Sequence, residues 1–321
     1  MEELRDLRRR IRSVRSTQHI TRAMSLVAST RLRRVERLVE PAREYAAMLK
    51  GVVRDIAART PEWAHPLLAP GEGTARGLLV ITSDRGLAGA YNADVLREAM
   101  RFFGTADLAR HDLVVVVAGR KGRDFLIKRG FHPVSEYVPL PEMPEESLSR
   151  RIALDLLTRY SEGAARSVHM VFARFVSRGS YLPCTERLLP ISESRARRSE
   201  EAQGSDIDYK NDEDDRVEPG ERTDLAMNED GPGSSDLQYV YEPSPESVLD
   251  VLFPHYLASA VYAALVEAKA SEFAARTVAM DSATDNAGEL IEGLTLAYNR
   301  ARQTEITQEI SEIAAGAKSL R

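Results

Sequence analysis

Residues 4–56 read LRDLRRRIRSVRSTQHITRAMSLVASTRLRRVERLVEPAREYAAMLKGVVRDI and carry one long heptad pattern. Alternate steps of three and four residues from Leu4 to Ile56 pass through sixteen positions, of which thirteen are apolar. This spacing is typical of the seam of a coiled coil. Residues 1–57 are therefore predicted to form one long helix, and its seam requires a second helix as a partner.

The partner helix is predicted at the other end of the chain, over residues 245–321. This segment has acidic residues near its start and no glycine in its first forty residues, which favours a helix. Apolar residues also recur there every seven positions: Phe273, Met280, Ala287, Leu294 and Ala301. Helices of roughly 85 Å and roughly 110 Å would project far beyond a small middle domain. We therefore expect the two to pair as an antiparallel coiled coil.

Between the two helices, the pattern changes to short apolar runs separated by turns. Buried strands are predicted at Gly77–Thr82 (GLLVIT), Leu113–Ala118 (LVVVVA) and Val168–Val176. Helices are predicted between them, at residues 93–103, 121–129 and 148–164. This alternation indicates a largely parallel sheet. The expected fold class is α/β: a long antiparallel coiled coil of the N- and C-terminal helices on a Rossmann-like α/β base domain at residues 76–191.

Charge is strongly segregated along this chain, whose formal net charge is −5. Residues 1–40 contain eleven arginines against five acidic residues, whereas residues 200–230 contain thirteen acidic residues and three basic ones. Basic arms are common in nucleic-acid-binding proteins. These arginines, however, lie on a heptad helix without interleaved aromatic residues, so we expect no nucleic-acid partner. Residues 192–238 are predicted to be an acidic, flexible insertion.

No catalytic, cofactor-binding or metal-binding motif is found in the sequence. It lacks a GxxxxGK[ST] loop, an HExxH motif and paired CxxC motifs, and its single cysteine, Cys184, cannot form an internal disulfide. Gly119 and Gly122 follow a strand as glycines do in dinucleotide folds, but GRKG lacks the full GxGxxG. Ser83–Gly86 is better explained as a strand-to-helix turn with an Asp or Ser cap. No run of eighteen uncharged apolar residues occurs, so any membrane association is expected to be peripheral.

Four blocks of the sequence carry a resemblance to a known family: ITRAMSLVAS (Ile20–Ser29), TSDRGLAGAYN (Thr82–Asn92), ATDNAGELI (Ala283–Ile291) and YNRARQTEITQEISEIAAGA (Tyr298–Ala317). In order and position they resemble the gamma subunit of F-type ATP synthases, and the resemblance covers nearly the whole chain. It implies a non-catalytic central rotor shaft without a cofactor or metal. The shaft would couple proton or sodium flow through the membrane c ring to ATP synthesis or hydrolysis on beta.

The resemblance also implies partners and contact residues. In the family, one gamma subunit per complex threads a ring of three alpha and three beta subunits, and its base sits on the c ring beside epsilon. Contacts with alpha and beta are implied for Met24, Arg302, Gln303, Thr307 and Glu309. Contacts with the c ring or epsilon are implied for Tyr239, Tyr241 and Glu242. The expected location is the cytoplasmic side of a bacterial inner membrane, as a peripheral protein.

Three polar residues interrupt the seam of the first helix, and they suggest a register for the pair. They are Gln18, Thr21 and Ser25. If the helix ends are nearly level, Met24 lies near the height of Arg302, within two helical turns or about 11 Å. We therefore predict that the helices part around these polar residues and face the surrounding subunits there.

Two questions stay open at the level of sequence. The segment from Pro190 to Gln238 is longer than in most bacterial relatives. Chloroplast gamma subunits have a redox-switched insertion at this place, but no cysteine lies here, so thiol control of that type is excluded. The segment is either an acidic flap that touches basic surfaces of beta or epsilon and slows hydrolysis, or a loop without function. The alternative for the whole chain is a non-catalytic coiled-coil scaffold with an α/β adaptor domain, and an enzyme ranks third.

Overall fold

A computed structural model describes residues 2–59, 65, 67–71, 73–104, 113–191 and 244–319. Its elements, in chain order, are α1 (Glu2–Arg59), β1 (Arg76–Ile81), α2 (Tyr91–Gly104), β2 (Leu113–Ala118), α3 (Arg120–Lys128), β3 (Ser135–Tyr137), α4 (Glu146–Ser161), β4 (Ser167–Ser177), β5 (Ser180–Leu189) and α5 (Pro245–Ser319). The predicted α/β class, with long terminal helices on a sheet domain, is confirmed. The predicted acidic insertion lies outside the described residues.

The described strands form one sheet in the order β3-β2-β1-β4-β5. β1 pairs in parallel with both β2 and β4, and β3 pairs in parallel with β2. β5 runs antiparallel to β4 at the edge. The runs GLLVIT and LVVVVA therefore occupy the two central parallel positions, where a strand is covered on both faces and has no polar side. The prediction of a largely parallel sheet is confirmed, and β3 and β5 were not predicted.

Helices cover both faces of this sheet, and successive residues of β1 point to opposite faces. Leu78 and Val80 pack with α2 and α3 in one buried cluster. Leu79 and Ile81 pack in a second cluster with α4, with the start of α5 and with Ile56 near the end of α1. The lower parts of the two long helices are thus built into the core of the base.

The two long helices run antiparallel, as cross-helix hydrogen bonds show. Arg8 Nη2 donates to Tyr298 Oη (2.5 Å), Ser25 Oγ donates to Asp281 Oδ1 (2.6 Å), and Arg43 Nη2 donates to Glu267 Oε2 (3.1 Å). Residue numbers rise along α1 while those of its partners fall along α5. The heptad seam of α1 is buried between these contacts, at Ala28, Leu32, Val35 and Val39. The predicted antiparallel pair is confirmed.

Among the described helices, α5 is long and apolar enough, by length and composition alone, to cross a membrane. Its most apolar window of eighteen residues has a mean hydropathy of 1.4, and half of that window is buried inside the molecule. The core of the base explains this composition, because it includes Leu249, Phe253, Leu257, Val261 and Ala264 of α5. A core helix of a soluble domain passes the same test, so the finding is weak evidence for a membrane span.

Candidate functional site on the helical pair

An apolar strip on α1 lies beside its seam with α5. It consists of Ile20, Ala23, Met24 and Val27, whose spacing of three and four places them on one face of the helix. Ile20 and Val27 are 57% and 50% exposed, and Met24 is half-buried. Exposed apolar side chains that lie together commonly mark a surface that another molecule covers. Met24, for which the family resemblance implies a contact with alpha or beta, is therefore in the middle of a candidate contact surface.

The apolar strip forms one wall of a groove of about 700 Å³. The other walls are the segment from Asp84 to Leu87 after β1, the segment from Pro139 to Glu142 after β3, and α5 from Lys269 to Arg276. Arg31 of α1 reaches across one end, where its Nε lies 2.8 Å from Glu142 Oε1. The groove is thus lined by an apolar wall on α1 and by charged side chains of the other segments.

Leu87 lies in the loop after β1 and is the most exposed of the large hydrophobic side chains that line the groove. It is 61% exposed and has φ = 62°, a conformation that costs a non-glycine residue roughly 1–2 kcal/mol. Asp84 holds this loop, since its Oδ1 accepts from the Arg120 backbone N–H (2.8 Å) and its Oδ2 from that of Leu140 (2.6 Å). A leucine kept exposed in a strained backbone indicates a functional constraint.

Arg276 fixes the same loop to α5 through a largely buried ion-pair network. Its Nη1 donates to Glu272 Oε1 (2.8 Å), and its Nη2 donates to the Gly86 carbonyl (3.2 Å). Lys269 Nζ donates to Glu272 Oε2 (3.0 Å), so two cations share one buried carboxylate. This network was not predicted from the sequence. Its available signal was the Glu272/Arg276 pair, spaced i, i+4, in an alanine-rich part of α5.

α5 also covers the position where folds of this class usually bind ligands. In open α/β sheets that position is the crevice at the carboxyl ends of the strands where the strand order reverses, here between β1 and β4. Tyr91 follows β1 and donates its hydroxyl to the Ala268 carbonyl of α5 (3.0 Å). Burial, followed by the nearby Glu272 carboxylate, raises the pKa of Tyr91 well above its usual value. The crevice therefore serves to seat a helix.

The N–H groups at the start of α3, where a dinucleotide fold would bind phosphate, are engaged by the chain itself. The Arg120 N–H donates to Asp84, the Lys121 N–H to the Ser83 carbonyl (3.0 Å) and the Gly122 N–H to Thr82 Oγ1 (2.8 Å). Asp84 therefore caps α3, the helix after β2, whereas the sequence had suggested a turn in which an Asp or Ser caps the helix that follows β1. Among the described residues, no group of three or more His, Cys, Asp or Glu side chains is placed to hold a metal ion.

The structure contradicts the predicted register of the two helices. Thr21 Oγ1 and Thr284 Oγ1 are 2.7 Å apart, and Ser25 bonds to Asp281, so Met24 is level with the part of α5 near residue 282. Arg302 lies about 20 residues further along α5, or about 30 Å at 1.5 Å per residue. The assumption of level helix ends was wrong, because α5 continues well past the start of α1.

The predicted parting of the helices at the polar residues is also wrong. Thr21 and Ser25 are 8% and 7% exposed, and Gln18 Nε2 donates to the Thr284 carbonyl (3.4 Å). The polar residues of α1 meet polar residues of α5, so their hydrogen bonds are made across the seam. Five residues take part in these contacts: Gln18, Thr21, Ser25, Asp281 and Thr284.

The remaining predicted contact residues lie elsewhere on α5 or outside the described residues. Arg302, Gln303, Thr307 and Glu309 are exposed, and Thr307 Oγ1 donates to the Gln303 carbonyl (2.9 Å). They form a second surface, remote from Met24. Tyr239, Tyr241 and Glu242 lie outside the described residues.

In all comparisons with known proteins, the matches are ATP synthase families, chains or structures. A family model described as ATP synthase matches residues 3–320. The ATP synthase gamma chains of Moorella thermoacetica and Halothermothrix orenii are 43% and 39% identical to this chain, each over 100% of both sequences. The central stalk and c-ring structure of the Tetrahymena thermophila mitochondrial ATP synthase includes a chain that matches with 25% identity and a TM-score of 0.55, over 82% of this chain and 99% of that one. A Euglena gracilis mitochondrial ATP synthase chain shares the fold, with a TM-score of 0.62, 17% identity and coverage of 99% and 95%.

Proposed function

The chain belongs to the family of ATP synthase gamma chains, and on that premise we propose that it is the rotating central stalk of a rotary ATP synthase. In this role it couples ion flow, of protons or sodium, through a membrane c ring to ATP synthesis or hydrolysis. The observation that carries the proposal is the family match over the whole chain. The alternative of a scaffold protein has no support in these comparisons.

The proposed partners are alpha and beta subunits around the helical pair, and epsilon and the c ring at the base, with one copy of the chain in each complex. Large apolar side chains are exposed along both helices: Ile20, Leu26, Val27, Val278, Leu290, Leu296, Ile306 and Ile310. So many exposed apolar residues on a two-helix stalk favour a surrounding partner, because water is a poor solvent for them.

Met24 and Leu87 are proposed to contact beta at the level of the groove. The shaft acts on beta by contacting its conformations differently, since only differential contacts shift a population. An exposed apolar strip on one side of the pair supports this role, because it presents a different surface to each of three beta subunits as the shaft turns. The Arg276 network would keep Leu87 in a fixed position relative to α5 during that rotation.

A second contact level is proposed about 30 Å further along α5, where Arg302, Gln303, Thr307 and Glu309 meet alpha and beta. At the other end, Tyr239, Tyr241 and Glu242 are proposed to face the c ring or epsilon. The catalytic sites belong to beta in this proposal, and the chain itself is non-catalytic, with no cofactor or metal. It is a peripheral protein on the cytoplasmic side of a bacterial inner membrane.

Rotation of the base relative to immobilised alpha and beta subunits tests this function directly. The chain is assembled with its cognate alpha and beta subunits, which are fixed to a surface, and a bead is attached to the base. ATP is expected to drive rotation in one direction, in complexes that contain three alpha and three beta subunits for each copy of the chain. Robust ATP turnover by the isolated chain, or ATP hydrolysis by the full complex without bead rotation, would contradict the proposal.

A further inference from the structure

The C-terminal half of β4 has β5 on one side but no strand on the other, where β1 has already ended. On that open side, its backbone is hydrogen-bonded to side chains of the long helices. The ladder between β1 and β4 ends at Val80 and Val171, while β4 continues to Ser177. Beyond that point, Ser271 Oγ of α5 donates to the Ala173 carbonyl (3.0 Å). Side chains of the long helices therefore take over the role of a strand.

Phe175 of β4 has both of its backbone polar groups bound in this way. Its N–H donates to Glu267 Oε2 of α5 (3.0 Å), and its carbonyl accepts from Arg43 Nη2 of α1 (3.1 Å). Glu267 is 5% exposed, and Arg43 binds it through two nitrogens, with Nε–Oε1 at 3.2 Å and Nη2–Oε2 at 3.1 Å. The hydrogen bond with Glu267 is the main cause that raises the pKa of Arg43. We call Arg43, Glu267 and the Phe175 backbone the three-way junction.

Apolar packing surrounds the three-way junction. Val39 of α1, Val266 of α5 and the Phe175 side chain belong to one buried cluster. Such packing resists separation of the elements, but the hydrophobic effect behind it has no preferred direction. Hydrogen bonds have preferred distances and angles, and those to charged groups are the strong ones. A torque about the stalk axis pushes α1 and α5 sideways across the sheet, and the junction opposes that movement.

We propose that Glu267 and Arg43 are positioning residues that transmit torque between the base and the helical pair. This inference rests on the proposed rotor function and adds a directional contact that joins its two parts, beside the apolar core that they share. A single carboxylate at this place holds α1, α5 and β4 together, so the two helices turn with the sheet as one body. Glu267 is the buried member of the pair, whereas the Arg43 side chain is 40% exposed, so removing either partner breaks the ion pair described for the buried Glu267 carboxylate.

The test is the angular fluctuation of a bead during a catalytic dwell, in the assembled complex. The bead is attached through a cysteine introduced at Glu162, which is exposed at the end of α4, in a Cys184→Ala background. Glu267→Gln keeps the size of the side chain and removes its charge. The amide has one acceptor oxygen where the carboxylate has two, and charge-assisted hydrogen bonds are about twice as strong as neutral ones, so the angular variance of the bead is expected to rise by up to about twofold.

Arg178→Gln is the matched control. Arg178 Nη2 lies 3.0 Å from Glu36 Oε2 and also joins the end of β4 to α1, but its side chain is 65% exposed. Exposed ion pairs contribute little, so this variant is expected to keep the original variance. Arg43→Gln removes the other partner of the junction, and it is expected to raise the variance as Glu267→Gln does. It also serves as the test if Glu267→Gln does not assemble.

Failure of the inference is distinguishable from failure of the proposed function. If the unsubstituted chain gives no ATP-driven rotation, the rotor function itself is overturned. If that chain rotates and the junction variants fluctuate no more than Arg178→Gln, the rotor function stands and the junction has no role in torque. A lower melting temperature without increased variance would likewise assign Glu267 to stability alone and overturn the inference.

Discussion

A disulfide between Thr21→Cys and Thr284→Cys is the sharpest test of the helix register. The two hydroxyl oxygens are 2.7 Å apart, and a disulfide needs sulfurs about 2.0 Å apart, so a small shift of each side chain is enough. The native Cys184 is replaced by alanine in this variant. We expect mild oxidation to form the bond in most molecules.

The expected stabilisation follows from the loop that this bond closes. The two positions are 263 residues apart, and the chain-entropy model then gives about 5.6 kcal/mol, before any strain in the folded protein is subtracted. The urea midpoint of the oxidised chain is therefore expected to lie well above that of the reduced chain. Urea denaturation of the same sample, with and without reductant, measures this difference.

Thr21→Cys with Glu305→Cys is the control, because helices with level ends would bring these two positions together. In the structure they are separated by about 30 Å along the pair, so no disulfide is expected. If this control formed its bond as readily as the first pair, the antiparallel register described here would be refuted.

Three further changes have expected outcomes that solution measurements can check. Arg276→Ala leaves the buried Glu272 with Lys269 as its one cation and is expected to cost about 1–3 kcal/mol in urea denaturation, whereas an unchanged midpoint would show that the network contributes nothing. Leu87→Gly relieves a positive φ and is expected to raise the free energy of unfolding by about 1 kcal/mol. The same variant is expected to stimulate ATP hydrolysis by the alpha–beta complex less than the unsubstituted chain does. Unchanged stimulation would remove Leu87 from the contact surface. Burial raises the pKa of Tyr256 to about 12, so its contribution to stability is complete below the unfolded pKa of about 10 and is lost as the pH rises toward 12. Tyr256→Phe should flatten the fall of the urea midpoint over that interval, and an equally steep fall would exclude this tyrosine as a cause.

Long-range periodicity and continuous apolar runs made most of the fold predictable from sequence. A heptad pattern maintained to Ile56 has few solutions other than a long helix with a partner. The run LVVVVA has no polar face, which is what a central parallel strand requires. By contrast, β5 escaped prediction because Pro183, Glu186 and Arg187 interrupt its apolar pattern. Edge strands tolerate such residues, since one side of their backbone stays outside the ladder.

The register of the helices was not predictable from the seam of α1 alone. The polar residues Thr21 and Ser25 were interpreted as a weak point, whereas in the structure they select Asp281 and Thr284 as partners. A polar residue within an apolar seam often specifies register in coiled coils. To predict the register from sequence, the polar positions of both helices must be matched with each other at once. The Arg276 network and the three-way junction likewise depend on backbone groups of other elements, which no sequence pattern reveals.

The overhang of α5 gives the stalk two cross-sections. From the Arg8–Tyr298 contact, Glu2 lies level with about residue 304, so α5 continues alone to Ser319 for roughly 22 Å. Two helices side by side have an elongated outline, whose direction a surrounding ring of subunits can distinguish. A single helix is nearly round and looks similar from every side. In a rotating stalk, the two-helix body at Met24 and Leu87 would act as a cam that carries angular information, and the single-helix tip as the pivot that keeps the cam centred.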